Sequence, residues 1–225
     1  MAEIRIDAAK PERMSKSGDI LSNAERLISD ATHMHAEGRS RSAATLIVVA
    51  LEQLGAFVEA LTRETYPEAV LHIGIFGDRA NAHAKRQDAL GAHVLNYVMG
   101  LETARCLWEE YFEKTRSNDA DLDTFLKWLR TRRPIEFSAA QQERQRNNPD
   151  IVAANALMRA VSTHRLQHLR EYGLYENVAR TFSDASVGEI IELAARVREI
   201  LSRAPVLPET MQIAGINMPT GLIVG

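Results

Sequence analysis

The sequence predicts an all-α helical bundle, and three observations carry that expectation. Apolar residues recur at spacings of three and four through most of the chain, the period of a helix with one buried face. Glycine and proline are scarce, at 12 and 7 of 225 residues, too few for a β-rich fold punctuated by turns. No run alternates apolar and polar residues as a half-buried strand does, and no internal repeat or low-complexity tract is present.

The first predicted helix covers about residues 17–37, with Ile20, Ala24, Leu27, Ala31 and Met34 on one face, Ser17 as its N-cap and Gly38 as its stop. Ser40 starts a second helix at about 40–64, through Ala43, Ile47, Leu51, Leu54 and Val58, ending before Pro67. This helix is apolar nearly all round, which places it centrally, and the short Gly38-Arg39 link makes the pair an antiparallel hairpin. Its length would span a bilayer, but Glu52, Gln53 and Glu59 within it predict a buried core helix and no membrane association. Val70 to Asp78, with Gly74 and Gly77, reads as a short helix or a turn.

From about Arg79 to Arg116 the helical pattern returns, with Leu90, Val94, Tyr97, Val98, Leu101, Ala104, Trp108 and Tyr111 on one side. A shorter helix over 121–132 stops at Pro134, and the polar stretch 138–150 reads as a loop or exposed turn. A helix from Ile151 to about Arg170 is expected to be interrupted at Gly173, and Val187 to Leu201 forms the last one. The chain thus divides into an N-terminal extension (1–16), one helical domain (17–204) and an apolar tail rich in Pro and Gly (205–225).

Composition narrows the function. Apolar residues at 45% and charged residues at 25% suit a globular protein, and a net charge of −3 excludes a uniformly basic nucleic-acid coat. One cysteine, Cys106, forms no internal disulfide and reads as a core residue; with no apolar leader segment, a cytoplasmic location is expected. There is no phosphate-binding glycine loop, no GxSxG and no CxxC.

Four clusters are candidates for chemistry. Glu52 is a carboxylate on the most apolar helix, either on a narrow polar stripe or orienting a cation or histidine from another helix. His83, Lys85 and Arg86, with Arg79 before and His93 after, combine imidazole with cations. That pairing suits metal-free phosphodiester cleavage, although a solvated basic face has the same composition. Arg159, His164, His168 and Arg170 form a third group; the His164/His168 pair has Arg165 where a zinc-protease helix has glutamate, and no third ligand, so neither metal nor cofactor is expected. Lys127 to Arg133 is basic around Trp128, which suits single-stranded nucleic acid or a helix C-terminus.

Three segments together resemble the AbiV family of bacterial abortive infection proteins, small helical proteins related to HEPN domains. They are Gly38-Arg39-Ser40-Arg41-Ser42-Ala43 in the hairpin, Ala50-Leu51-Glu52-Gln53-Leu54-Gly55-Ala56 in the second helix with His83 and Lys85 after it, and Arg170 shortly before Gly173-Leu174-Tyr175. The match covers roughly residues 17–200 and departs from the family at Gln53, Ala56, Glu176 and Asn177, where it has an acid, a lysine, Val and Asp. The resemblance implies a HEPN-like bundle, a homodimer, and phage defence directed at RNA or translation. Carried over residue by residue, it marks Glu52, His83 and Lys85 as catalytic candidates and Gly55, Arg170, Gly173 and Tyr175 as binding ones. HEPN relatives are often metal-independent ribonucleases with an Arg-x(4–6)-His motif, which both Arg86–His93 and Arg159–His164 satisfy. The alternative reading is a non-catalytic helical module that binds a phage or host protein. Convergence of Glu52, His83 and Arg170 in one pocket would favour a site, and separate exposure would favour the module.

Overall fold

The structure, a computed structural model, describes residues 11–65, 82–115, 124, 127–128, 138–175 and 182–203. Among them it is an all-α bundle of seven helices without a strand. These are α1 (Pro11–Ala36), α2 (Ser40–Thr65), α3 (Ala82–Thr115), α4 (Ala139–Asn147), α5 (Pro149–Ser162), α6 (Arg165–Leu174) and α7 (Asp184–Ser202). The stretch Val70 to Asp78, Arg79, most of the basic run Lys127 to Arg133 and the tail after residue 204 lie outside the described residues.

The hairpin forms as its sequence requires. Gly38 adopts φ +73°, where a side chain would be strained; its N–H donates to the His35 carbonyl at 3.0 Å and the Arg39 N–H to Met34 at 2.9 Å, closing α1. The start of α1 differs from the expected Ser17 cap. The helix begins at Pro11, whose missing N–H costs nothing in a first turn, and Ser17 lies buried inside it.

Helix α2 is the axis of the bundle, packed by α1, α3, α6 and α7. Ala43, Ala44, Ile47, Val48, Leu51 and Leu54 are fully buried along it, joined by Leu90 and Val94 of α3, Leu157 of α5, Leu166 and Leu169 of α6 and Val187, Ala194 and Val197 of α7. By length and composition Ser40–Leu61 would cross a membrane, and here it is the core helix of the bundle.

Three expectations are overturned. Residues 138–150 are not a loop. Ser138 Oγ accepts the Gln141 N–H (3.3 Å) while Gln141 Oε1 accepts the Ser138 N–H (2.9 Å), a capping box that starts α4; Asn148 then caps α5 with Pro149 behind it. Helix α4 buries no residue, so hydrophobic periodicity carries no trace of it. Secondly, the helix expected to run unbroken from Ile151 to Arg170 breaks at Thr163-His164, and Gly173 lies inside α6 rather than interrupting it. The Ser162 and Thr163 hydroxyls both donate to the Arg159 carbonyl, at 3.2 and 2.7 Å, closing α5. Thirdly, Leu101 is exposed: beyond Gly100 the buried face of α3 becomes Glu102, Cys106, Leu107 and Tyr111, facing α4 and the Trp128 ring.

Candidate functional site

Two glycines allow three helices to meet around Glu52. A Cβ on Gly55 of α2 would lie 2.6 Å from the Arg86 carbonyl oxygen, so α3 crosses α2 in near-backbone contact there. A Cβ on Gly173 of α6 would lie 2.9 Å from the Arg41 carbonyl oxygen and 2.2 Å from Thr45 Oγ1, so α6 lies equally close to α2. Side chains three residues apart share a helix face. Three residues before these contacts stand Glu52 on α2, His83 on α3 and Arg170 on α6. Gly55 and Gly173, expected among the binding residues, thus serve as the close crossings that bring the polar groups together.

Glu52 is 5% exposed and has partners on both neighbouring helices. Its Oε2 is 2.8 Å from His83 Nδ1, Gln87 Nε2 donates to Oε1 at 3.4 Å, and Arg170 Nη1 stands 3.9 Å from Oε1. A buried carboxylate needs such partners, since desolvation otherwise disfavours its charge. A carboxylate oxygen only accepts, so His83 Nδ1 donates to Glu52, and in the neutral tautomer Nε2 then carries the lone pair. The His83 side chain is half exposed, and its ring opens on a cleft of about 380 Å³. The cleft is also lined by Gln87, Asp88, His164, Gln167, Arg170 and Tyr175.

The remaining candidates separate. Arg86 turns back to Glu59 at 3.9 Å and Arg159 is exposed; neither lines the cleft, although His164 does. The side chain of Lys85 lies outside the described residues. His93 is on α3 but not in the cleft, and burial pulls its imidazole down to about 4. Tyr175, 61% exposed, stands at the rim, its carbonyl held by Arg41 Nη2 at 3.1 Å, while the Arg41 guanidinium sits 5.1 Å from the Tyr172 ring.

Sequence reasoning missed Gln87, Asp88 and Gln167. Gln87 follows His83 by one turn and Gln167 precedes Arg170 by three residues, so helical spacing from the chosen residues would have found both. Desolvation raises the Asp88 carboxyl, partly offset by the nearby His164. A second polar cluster, also missed, lies across α3 and α4: buried Glu102 accepts from Arg144 Nε at 2.8 Å, and Arg144 Nη2 reaches Glu109 at 2.8 Å and Cys106 Sγ at 3.0 Å. This holds Glu109 below the usual carboxylate range, while burial pushes the Cys106 thiol up. Among the described residues, no three His, Cys, Asp or Glu side chains gather as a metal site. No family model matches the chain, and no curated protein or solved structure matches it either.

Proposed function

We propose that the protein is a bacterial abortive infection protein of AbiV type that limits phage multiplication by cleaving RNA without a metal ion, in the cytoplasm and as a homodimer. The observation that carries this reading is the His83–Glu52 pair, 2.8 Å apart, opening on a cleft that Arg170 also lines. Its convergence also favours a catalytic site over a non-catalytic interaction module. An imidazole whose Nδ1–H is held by a buried carboxylate is aligned to accept a proton at Nε2. His83 takes the 2′-hydroxyl proton of a bound ribonucleotide, and the resulting oxygen attacks the adjacent phosphorus as the P–O5′ bond breaks; O5′ keeps the electron pair and takes up a proton from solvent, leaving a 2′,3′-cyclic phosphate and a 5′-hydroxyl. Arg170, with its guanidinium fork near the same carboxylate, receives the phosphate and stabilises charge developing on its oxygens. Glu52 orients the base and balances the imidazolium.

Incubating the purified protein with labelled bacterial RNA, with and without EDTA, tests this. The expected result is EDTA-resistant cleavage leaving 2′,3′-cyclic phosphate ends, lost in His83→Ala and reduced in Glu52→Gln. Cleavage that survives in His83→Ala, or no cleavage at all, refutes the assignment.

A further inference from the structure

Arg170 lines the cleft with a guanidinium whose donors the protein leaves open. Among the described residues its side chain makes no hydrogen bond, and its one ionic contact, Nη1 to Glu52 Oε1 at 3.9 Å, is too long to be one. The composition of the pair predicts the opposite. Glu52 is buried, and a guanidinium fork bonded to a carboxylate is among the strongest contacts two side chains make. Something holds the two groups apart.

The oxygen that Arg170 would take already has a donor. His83 and Gln87 stand four residues apart on α3, on one face, so both side chains reach the same carboxylate from one helix. His83 Nδ1 is 2.8 Å from Oε2, and Gln87 Nε2 donates to Oε1 at 3.4 Å. Gln87 is buried at 7% exposed, and its amide gives Oε1 a hydrogen bond without a charge. Arg170, arriving from α6, stops short of that oxygen, with its side chain 34% exposed.

We propose that Gln87 is a positioning residue of this cleft: by occupying Glu52 Oε1 it keeps the Arg170 guanidinium off the carboxylate and free for a substrate phosphate. The inference rests on the ribonuclease reading for what that phosphate belongs to. A cation in place of the amide would neutralise Glu52, which has to balance the imidazolium that His83 becomes. An apolar side chain would leave Oε1 buried without a donor and draw Arg170 onto it. A neutral donor does neither. Gln87 thus divides the two cationic groups of the site, giving the imidazole to Glu52 and the guanidinium to the phosphate.

Binding is measured apart from cleavage with a fluorescein-labelled 2′-deoxy oligonucleotide, which carries phosphates but no attacking hydroxyl. Arg170→Met is expected to weaken binding about 10-fold or more in an anisotropy titration, the loss of a charge-assisted contact. Gln87→Met and Gln87→Ala should each weaken it by a similar factor. Adding Gln87→Met to Arg170→Met should cause no further loss, because the amide acts only through the guanidinium. Nitrogen NMR of the ligand-free protein reads the cause. A guanidinium bonded to a carboxylate turns slowly about its Cζ–Nε bond and shows separate Nη protons, which a free one does not. Arg170 should show none in the wild type and show them in Gln87→Met, where Arg170→Met removes them again. Separate Nη protons on Arg170 in the wild type would overturn the role of Gln87. So would unchanged binding in both Gln87 variants, equal losses with and without Arg170, or a wild-type protein that binds no oligonucleotide. Should neither Gln87 variant fold, the wild-type spectrum decides. A protein that cleaves no RNA yet meets these expectations would overturn the ribonuclease reading and leave the role of Gln87 in phosphate binding standing.

Discussion

The same substitution, glycine to alanine in a helix, is expected to have opposite signs at two positions. At Gly18 in α1 an added Cβ meets nothing within 4 Å, so Gly18→Ala gains only the helix propensity difference, about 1 kcal/mol. At Gly173 in α6 the same Cβ would lie 2.2 Å from Thr45 Oγ1 and 2.9 Å from both the Arg41 carbonyl oxygen and the Thr45 amide nitrogen. The hydroxyl can turn away, but the two backbone atoms belong to the central helix and can yield only if α2 or α6 moves. Overpacking of that kind costs about 1–3 kcal/mol, and contact with backbone puts this site at the upper end. After the propensity gain, Gly173→Ala should destabilise the protein by about 2 kcal/mol. A chain of this size shifts by about 2–4 °C per kcal/mol, so Tm should fall by about 4–8 °C in Gly173→Ala and rise by about 2–4 °C in Gly18→Ala. Thermal unfolding followed by circular dichroism measures both. Adding Thr45→Ala should restore only part of the loss, because the backbone contacts remain. A Gly173→Ala protein as stable as the wild type would refute the argument that glycine sets the α2–α6 distance. It would also remove the reason given for Arg170 standing beside Glu52.

Other consequences follow from the same geometry. Burial lowers the His93 pKa from 6.5 to about 4, so the unfolded chain binds a proton between those values that the folded chain refuses. Stability should therefore be full above pH 6.5 and fall as pH drops towards 4, by at most about 3 kcal/mol; urea unfolding of the wild type and His93→Gln at pH 7 and 4.5 measures that contribution. Since α4 buries no side chain, Arg144→Met should free it from α3 and leave Glu102 without its closest cation. Amide exchange across 139–147 should quicken about 10- to 100-fold; unchanged protection would show that other contacts hold the helix. Tyr175→Ala should weaken binding of single-stranded RNA about 5- to 100-fold in an anisotropy titration while Tyr175→Phe retains it, if the exposed ring stacks on a base. Equal affinity in all three proteins would remove the rim from the site. Glu52→Gln should keep the fold and lower the cleavage rate about 10²-fold or more, because an amide oxygen no longer balances the imidazolium.

How much of this was legible before the structure depends on whether the information is local. The hairpin was readable because Gly38 ends one helix and Ser40 begins the next within a few residues. The central position of α2 followed from apolar residues all round it, and Glu52 stood out because a carboxylate there needs a partner. Helix α4 was missed because its determinants are the capping box at Ser138 and Gln141, hydrogen bonds that leave apolar periodicity untouched. The break at His164 was hidden because apolar residues resume at Leu166 after only four polar ones, a gap that a polar helix face also produces, while the hydroxyls of Ser162 and Thr163 close the helix locally.

By itself, then, the sequence determined the helical class, the hairpin, the axis of the bundle and a short set of groups worth placing. Tertiary structure alone decided which of them meet. Arg86 and His83 are three residues apart on α3, yet one faces Glu59 and the other Glu52. Arg159 and His164 fit one spacing motif, yet only His164 enters the cleft. Helical periodicity specifies the direction of a side chain relative to its own axis and nothing about its neighbours. Partnership is set by how closely two axes approach and at what register, and here Gly55 and Gly173 govern both.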